Sequence, residues 1–420
     1  MTISRRAFIR GGAAVTAGVS IPGFLTGLVR AQGSGSRALV ILDLLGGNDS
    51  LSMLIPYGDP AYYSRRSTIA VPAANVLQVG TDAAGRALGL HPRLTGLSTL
   101  FNQGRVAFLQ RVGYPNASRS HFLGNDIWGT ANPAAPQGAG WIGRYLDTLP
   151  APVDPLKAWC SAGELPRTLV ARTVTVPAIP SASSYTYSSP NSGAEALLER
   201  ATAERMAASA PAGQAHVAFV NASLQAALAT LDRVATVTGY VPTITYPATA
   251  LAQALRTVAG ALARRIGTSI FWVQTGGYDN HASQGTNEVT GTYRSLMGTL
   301  GDALLAFATD LSNQGLLGDT LVVQFSEFGR RISENGSRGT DHGAAAAILA
   351  IGGRVRGGLY GTAPVLTLDP QNPTLENNAG DVRYETDFRS VYARVADQWL
   401  GADSVALLGG DFRKPGLDFV

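Results

Sequence analysis

Five short segments hold most of the groups able to bind a metal ion, move a proton or attack an ester. They are Gly46-Gly47-Asn48-Asp49-Ser50, Tyr114-Pro115-Asn116-Ala117-Ser118-Arg119-Ser120-His121, Gly276-Gly277-Tyr278-Asp279-Asn280-His281, Ser326-Glu327-Phe328-Gly329-Arg330-Arg331 and Gly339-Thr340-Asp341-His342-Gly343. Cys160 is the one cysteine, so an intramolecular disulfide and a Cys-rich zinc site are both excluded. A metal would have to be held by His, Asp and Glu, and the histidines number five: His91, His121, His216, His281 and His342. Lysine occurs only at Lys157 and Lys414, which disfavours catalysis by a buried amine.

Each segment has a functional and a plain reading. Asp49 is either a ligand or part of a Gly-Asn-Asp turn. Ser118 or Ser120 is either a nucleophile at a helix start, where free N–H groups lower the cost of an alkoxide, or an N-cap. Asp279 and His281, two positions apart in a loop, can reach one ion. Glu327 follows an apolar strand and needs a partner; Arg330 or Arg331 would make a purely structural pair. Asp341-His342 completes the set. Gly138-Ala139-Gly140-Trp141-Ile142-Gly143 fits a dinucleotide pattern but follows prolines instead of a strand. His91 reads as a turn residue and His216 as ordinary helix surface or packing. Thr386-Asp387 reads as a helix cap. The absence of a G-x-S-x-G elbow argues against a hydrolase triad of that type.

Four of these segments follow β-rich apolar runs: Ala38–Leu45, Arg105–Val112, Ser269–Thr275 and Thr320–Phe325. Amphipathic helical patterns such as Thr292–Gln314 separate the runs. Alternating strands and helices predict an α/β fold, a large mostly parallel sheet sandwiched by helices. In such a sheet the four segments share the C-terminal edge of the strands, where sites form. His342 comes before its strand, Ala345–Ile351. For His342 to join the others, that strand must run antiparallel or its loop must reach across. Residues 151–266 open Pro- and Ser-rich and continue as Ala-rich helices, Gly193–Ser209, Gly213–Val237 and Ala248–Ile266. They read as a helical insertion within a single domain spanning 32–420.

The formal charge of +4 comes from 33 basic and 29 acidic residues. Arg5, Arg6, Arg10 and Arg30 fall in the first 31 positions, which hold no acid, so the remainder is neutral. Nothing there calls for nucleic acid as a partner. Ser4-Arg5-Arg6-Ala7-Phe8-Ile9-Arg10, the uncharged stretch to Val29 and the ending Val29-Arg30-Ala31 match a twin-arginine (Tat) signal peptide over residues 1–31. The stretch carries glycines and Pro22, poor for a span that wants about 20 strongly apolar residues. Export through the Tat translocase to the periplasm or the exterior is expected, with no lasting membrane span.

Together the signal and the five segments resemble the bacterial exported family labelled domain of unknown function 1501, grouped with the alkaline phosphatase-like and sulfatase superfamily. The likeness continues to Asp387-Phe388-Arg389-Ser390. It implies an alkaline phosphatase-like core and a divalent metal ion. Asp49 matches a metal-binding Asp at the end of the first strand, with Asp43 a competitor. Ser118 or Ser120 matches the nucleophile. Asp279 and His281 match an Asp-x-x-x-His motif with one spacer residue, and His342 the last histidine. Glu327-Phe328 stands where the pattern has Asp-His. One metal position, Asp279, His281 and His342, is thus intact. The second keeps Asp49 and Glu327 but loses its histidine, so one ion is expected rather than two.

The resemblance implies a metal-dependent hydrolase of phosphate or sulfate esters, acting on a small anionic ester or a sulfated or phosphorylated glycan. Ser120 or Ser118 would attack, and Arg330 would steady the anion in a bidentate grip. The competing readings are a non-catalytic exported binding protein on the same fold, with or without a structural metal, and loops whose polar groups only pair with each other.

Overall fold

The computed structural model describes residues 37–209, 215–285 and 291–420. The expected leader, the expected helix start at Gly213 and the His216 side chain lie outside the described residues. Strand β1 (Ala38–Leu44) is buried along its whole length, as an unbroken apolar run covered on both faces requires. The chain continues through α1 (Ser50–Met53), β2 (Leu54–Ile55), α2 (Pro60–Arg65), β3 (Leu77–Thr81), β4 (Ala87–Leu90), α3 (Thr95–Asn102) and β5 (Val106–Gly113). Next come α4 (His121–Thr130), α5 (Trp141–Asp147), β6 (Ala158–Cys160), α6 (Gly193–Ala208), α7 (Ala215–Thr238), α8 (Ala250–Ala263), β7 (Ile270–Thr275) and α9 (Thr292–Asn313). The last part holds β8 (Thr320–Phe325), β9 (Ala346–Gly352), β10 (Gly358–Tyr360), β11 (Leu375–Glu376), β12 (Asp381–Val382), β13 (Thr386–Asp387), α10 (Phe388–Arg394) and α11 (Ser404–Leu408).

The main sheet has the order β10-β5-β9-β8-β1-β7-β6, with β13 also paired to β5. Every pairing is parallel except those of β9, which runs antiparallel to both β5 and β8. The fold is therefore the expected α/β sandwich on a mostly parallel sheet. The strand after His342 is the one that reverses, so the loop before it opens on the same edge as the loops after β1, β5, β7 and β8. Register keeps that edge level: Asp43 lies opposite Phe325 and Leu44 opposite Thr275.

The period-2 alternation of β1 sorts the core into two layers. Val40, Leu42 and Leu44 face Leu97 and Leu100 of α3, Leu255 and Val258 of α8, and Met297, Leu300 and Leu304 of α9. Leu39 and Ile41 face Ile127 and Trp128 of α4, Trp141 and Ile142 of α5, and Val391 and Tyr392 of α10. Burying one such side chain stabilises by roughly 1.5–3 kcal/mol, so both faces hold the sheet rigid under its loops.

Residues 151–266 supply an edge strand as well as helices, since β6 pairs with β7. Their tether to the core is Asp310 of α9. This buried carboxylate accepts from Tyr240 Oη at 2.6 Å, Tyr246 Oη at 2.9 Å, and Thr243 N and Oγ1 at 2.8 Å each. The glycines of Gly138–Gly143 serve packing: a Cβ on Gly140 or Gly143 would collide with the backbone of Thr168 or Val170. Asp387 caps α10, accepting from Arg389 N at 2.9 Å. No helix among the described residues is long and apolar enough to cross a membrane.

Candidate metal centre

Three histidines and one carboxylate meet at the level edge. Asp279 arrives from the loop after β7, His121 from the first turn of α4 and His342 from the loop before β9; their ligand atoms lie within 4.8 Å of one another. His281 joins them, its Nε2 being 2.8 Å from His342 Nε2 and 3.1 Å from Asp279 Oδ1. Asp279 Oδ1 is also 3.1 Å from His342 Nε2, and Oδ2 is 3.5 Å from His121 Nε2. A tetrahedral zinc ion with Zn–N of about 2.0–2.1 Å separates its ligand atoms by about 3.3 Å. The spacings from Asp279 to each ring and between His281 and His342, 2.8–3.5 Å, bracket that value, and the set whose ligand atoms all lie within 4.8 Å of one another is His121, Asp279 and His342.

Each imidazole is held through its other nitrogen by a group that can only accept. His121 Nδ1 lies 2.7 Å from Glu327 Oε1, His342 Nδ1 2.7 Å from the carbonyl of Arg119, and His281 Nδ1 3.3 Å from Asp341 Oδ1. A neutral ring that donates from Nδ1 presents a lone pair at Nε2. Two such lone pairs then face each other 2.8 Å apart at His281 and His342, beside an anionic carboxylate. That is unfavourable until a cation or a proton stands between them. The donor set and its outer partners match the histidine–carboxylate pattern of metal sites. The residues present fit a single divalent ion.

The carboxylates divide into different roles. Burial alone would raise the Asp279 carboxyl, but the hydrogen bond and charge of Arg330 outweigh it and hold it at about 2. Glu327 is buried and accepts Gly46 N at 2.9 Å and Ser326 Oγ at 3.0 Å besides orienting His121. Its partner is thus a histidine, not the expected arginine. Asp341 accepts from Asn335 Nδ2 at 2.9 Å and steadies His281. Glu327 and Asp341, expected as ligands, stand one layer behind the histidines.

Asp49 is placed elsewhere. It forms a buried ion pair with Arg66, Nη1–Oδ2 2.5 Å and Nη2–Oδ1 3.0 Å. Ser52 Oγ and Gln284 Nε2 each donate to Oδ2 at 2.6 Å. Burial would raise its carboxyl, but the Arg66 charge and these bonds keep it below the ordinary value. With both oxygens so occupied, Asp49 fixes the turn after β1. Asp43 is buried with Oδ1 unpartnered, and burial followed by the nearby Glu327 charge raises its carboxyl far above the usual range.

Arg330 also departs from expectation. Its side chain is fully buried, and it donates to Gly47 O at 2.6 Å, Thr340 O at 2.8 Å, Tyr278 O at 3.2 Å, Gly46 O and Asp279 Oδ1 at 2.5 Å. Fully buried and committed to these acceptors, it faces no substrate anion; it stitches three loops beneath Asp279. That stitch needs glycine at Gly46, whose φ is +117° and whose Cβ would collide with the Asp279 backbone. Phe328, where the resembled pattern has histidine, packs its ring 4.5 Å from His342 and 4.9 Å from His121.

Ser118 and Ser120 both act at the start of α4. Ser118 Oγ accepts from Ser120 N at 3.1 Å, and Ser120 Oγ caps Leu123 N at 3.5 Å. His121 was not among the expected ligands. Its signal was present: it ends the reactive segment after β5, on the same edge as the others. Phe122, beside it, is 87% exposed. His91 is buried, with Nδ1 accepting from Arg93 N at 3.1 Å.

A family model described as protein of unknown function (DUF1501) matches residues 107–405. Among solved structures, a sulfatase from Pseudoalteromonas sp. is similar at 13% identity and a TM-score of 0.36, over 92% of this chain and 70% of that one. A phosphonate monoester hydrolase of Agrobacterium radiobacter is similar at 11% identity and a TM-score of 0.30, over 90% and 78%. No curated protein matches the chain in sequence. Structural likenesses of this size carry no argument about the centre, which stands on its own geometry.

Proposed function

The chain belongs to the DUF1501 family of proteins of unknown function, and from that premise we propose that it is an exported, metal-dependent hydrolase of phosphate or sulfate esters. The observation that carries the reading is the 2.8 Å approach of His281 Nε2 to His342 Nε2, with acceptors behind both rings and Asp279 beside them. His121, Asp279, His281 and His342 would hold one divalent ion, and Glu327 and Asp341 would fix the rings of His121 and His281. An ion in that position polarises an ester oxygen and lowers the cost of generating a nucleophile.

Ser120 is the proposed nucleophile. Its hydroxyl sits at the start of α4, where unpaired N–H groups stabilise developing negative charge, and its one capping bond is long at 3.5 Å. Its oxygen would attack phosphorus or sulfur, the alcohol would leave with the serine proton, and water would release the inorganic anion and restore the hydroxyl. Phe122 offers an exposed apolar face to a ring-bearing leaving group such as a sugar. Residues 32–420 form one catalytic domain with 151–266 as its insertion. The leader directs Tat export to the periplasm or beyond.

A second reading, binding without turnover, is favoured by one observation: both candidate serines already serve the helix start. Turnover of aryl phosphate and aryl sulfate esters by the metal-loaded protein separates the two. The hydrolase reading expects turnover that falls at least 1,000-fold (roughly 4 kcal/mol) in Ser120→Ala. Saturable binding of the same esters with no turnover would replace it by the binding reading.

A further inference from the structure

Since Arg330 is buried among carbonyls and Asp279, an anionic substrate must be gripped by other cations, and two arginines whose backbones touch the histidine loops keep their side-chain donors largely unused. Arg119 precedes Ser120, and its carbonyl holds His342 Nδ1 at 2.7 Å. Arg331 follows Arg330, and its backbone N donates to Asp341 O at 2.9 Å. The side chains are 40% and 41% exposed and converge on one carboxylate, Asp381, which is fully buried. Arg119 Nη2 donates to Asp381 Oδ2. Arg331 Nε stands 3.6 Å from Oδ1, an ion-pair distance too long for a hydrogen bond. Asp381 Oδ1 has no hydrogen-bond partner, and Asn377 Nδ2 donates to Oδ2 at 3.0 Å. Among the described residues the Arg331 guanidinium makes no hydrogen bond, and that of Arg119 makes the single one to Asp381. Gly380 leaves the room that Arg331 occupies, since a Cβ there would collide with Nη2.

A buried carboxylate needs one cation; here two approach it from the surface. Glu376, half-buried in β11, and Asp341 are the other carboxylates near the pair, and Asp341 is already engaged by Asn335 and His281. Guanidinium donors in a fixed fork match the oxygens of phosphate and sulfate. We propose that Arg119 and Arg331, anchored from below by Asp381, form the binding site for the non-bridging oxygens of a tetrahedral oxyanion presented to the histidine cluster. This rests on the ester-hydrolase reading for the identity of the anion but not on the metal.

The test is calorimetric titration of the full chain, zinc-loaded, with inorganic phosphate and inorganic sulfate as probes. The proposal expects saturable binding of at least one probe, weakened at least tenfold in Arg331→Gln and in Arg119→Gln. Arg331→Lys, which keeps the charge but not the fork, should fall between. Thermal melting of each variant establishes that it is folded, and Asp381→Asn, which frees the anchor, should weaken binding as well. The same titrations in His281→Ala separate the clamp from the metal. Residual binding there that still depends on Arg331 upholds the clamp even if no metal is found. Binding that needs the metal but is unchanged in both glutamine variants, or no binding of either probe, overturns it.

Discussion

Glu327→Gln isolates the contribution of the layer behind the histidines. The native carboxylate accepts from His121 Nδ1 at 2.7 Å and Gly46 N at 2.9 Å through Oε1, and from Ser326 Oγ through Oε2. Glutamine keeps the volume and the Oε1 acceptor. The Ser326 hydroxyl can accept from the new amide, so no buried group is stranded. What is lost is the charge. A hydrogen bond to an ionised group contributes about 1.5–3 kcal/mol against about 0.5–1.5 for a neutral pair, a difference near 1 kcal/mol, or about five- to tenfold in affinity. Changes behind a metal-binding histidine typically cost about 10–100-fold, so the lower end applies here. Titration of zinc against a competing chelator should show the dissociation constant rising about tenfold, with little change in melting temperature. Unchanged affinity in a folded Glu327→Gln protein would refute the role given to Glu327. A loss of about 10,000-fold would instead make it a ligand.

Two further outcomes follow from the buried charges. Arg66→Ala strands Asp49 in a site where both partners are inaccessible; breaking such a pair costs about 3–5 kcal/mol, seen as a lowered urea midpoint, while metal content per folded chain stays unchanged. A loss of metal equal to the loss seen in His281→Ala would restore Asp49 to the centre. Asp310 bears on pH: burial raises its carboxyl, yet the bonds from Tyr240, Thr243 and Tyr246 outweigh it and leave it below the ordinary 3.8. A carboxyl depressed in the folded state contributes stability that is complete above its unfolded pKa and is lost as pH falls through the folded one. Denaturant titrations from about pH 5 downward should therefore show a shallower acid loss in Asp310→Asn than in the native chain. Equal slopes would remove Asp310 from the acid response.

The framework was readable in the sequence because buried parallel strands need long apolar runs. β1, β5, β7, β8 and β9 carry them, and each falls within a residue or so of its expected bounds. The reversal of β9 was one of the two ways in which His342 could share an edge with His281, and it is the one the fold uses. The short strands β6, β10 and β13 escaped notice because two or three residues hold no period; tertiary pairing alone makes them strands. In the site, Asp279, His281 and His342 were legible as a set. Asp49 and Arg330 were misread because a charged residue at a strand end looks alike whether it meets a ligand or a buried counter-charge. Arg66, which decides the matter for Asp49, sits in a segment with no pattern of its own. His121 was hidden by its neighbours: the serines before it drew the cap and nucleophile readings.

The most direct measurement is the metal content, by mass spectrometry, of the folded chain purified without added metal, alongside His121→Ala, His281→Ala and Asp49→Asn. The account predicts about one divalent ion per chain, lost in both histidine variants and retained in Asp49→Asn. A native chain that carries no ion, or an ion that survives His121→Ala and disappears in Asp49→Asn, would contradict it.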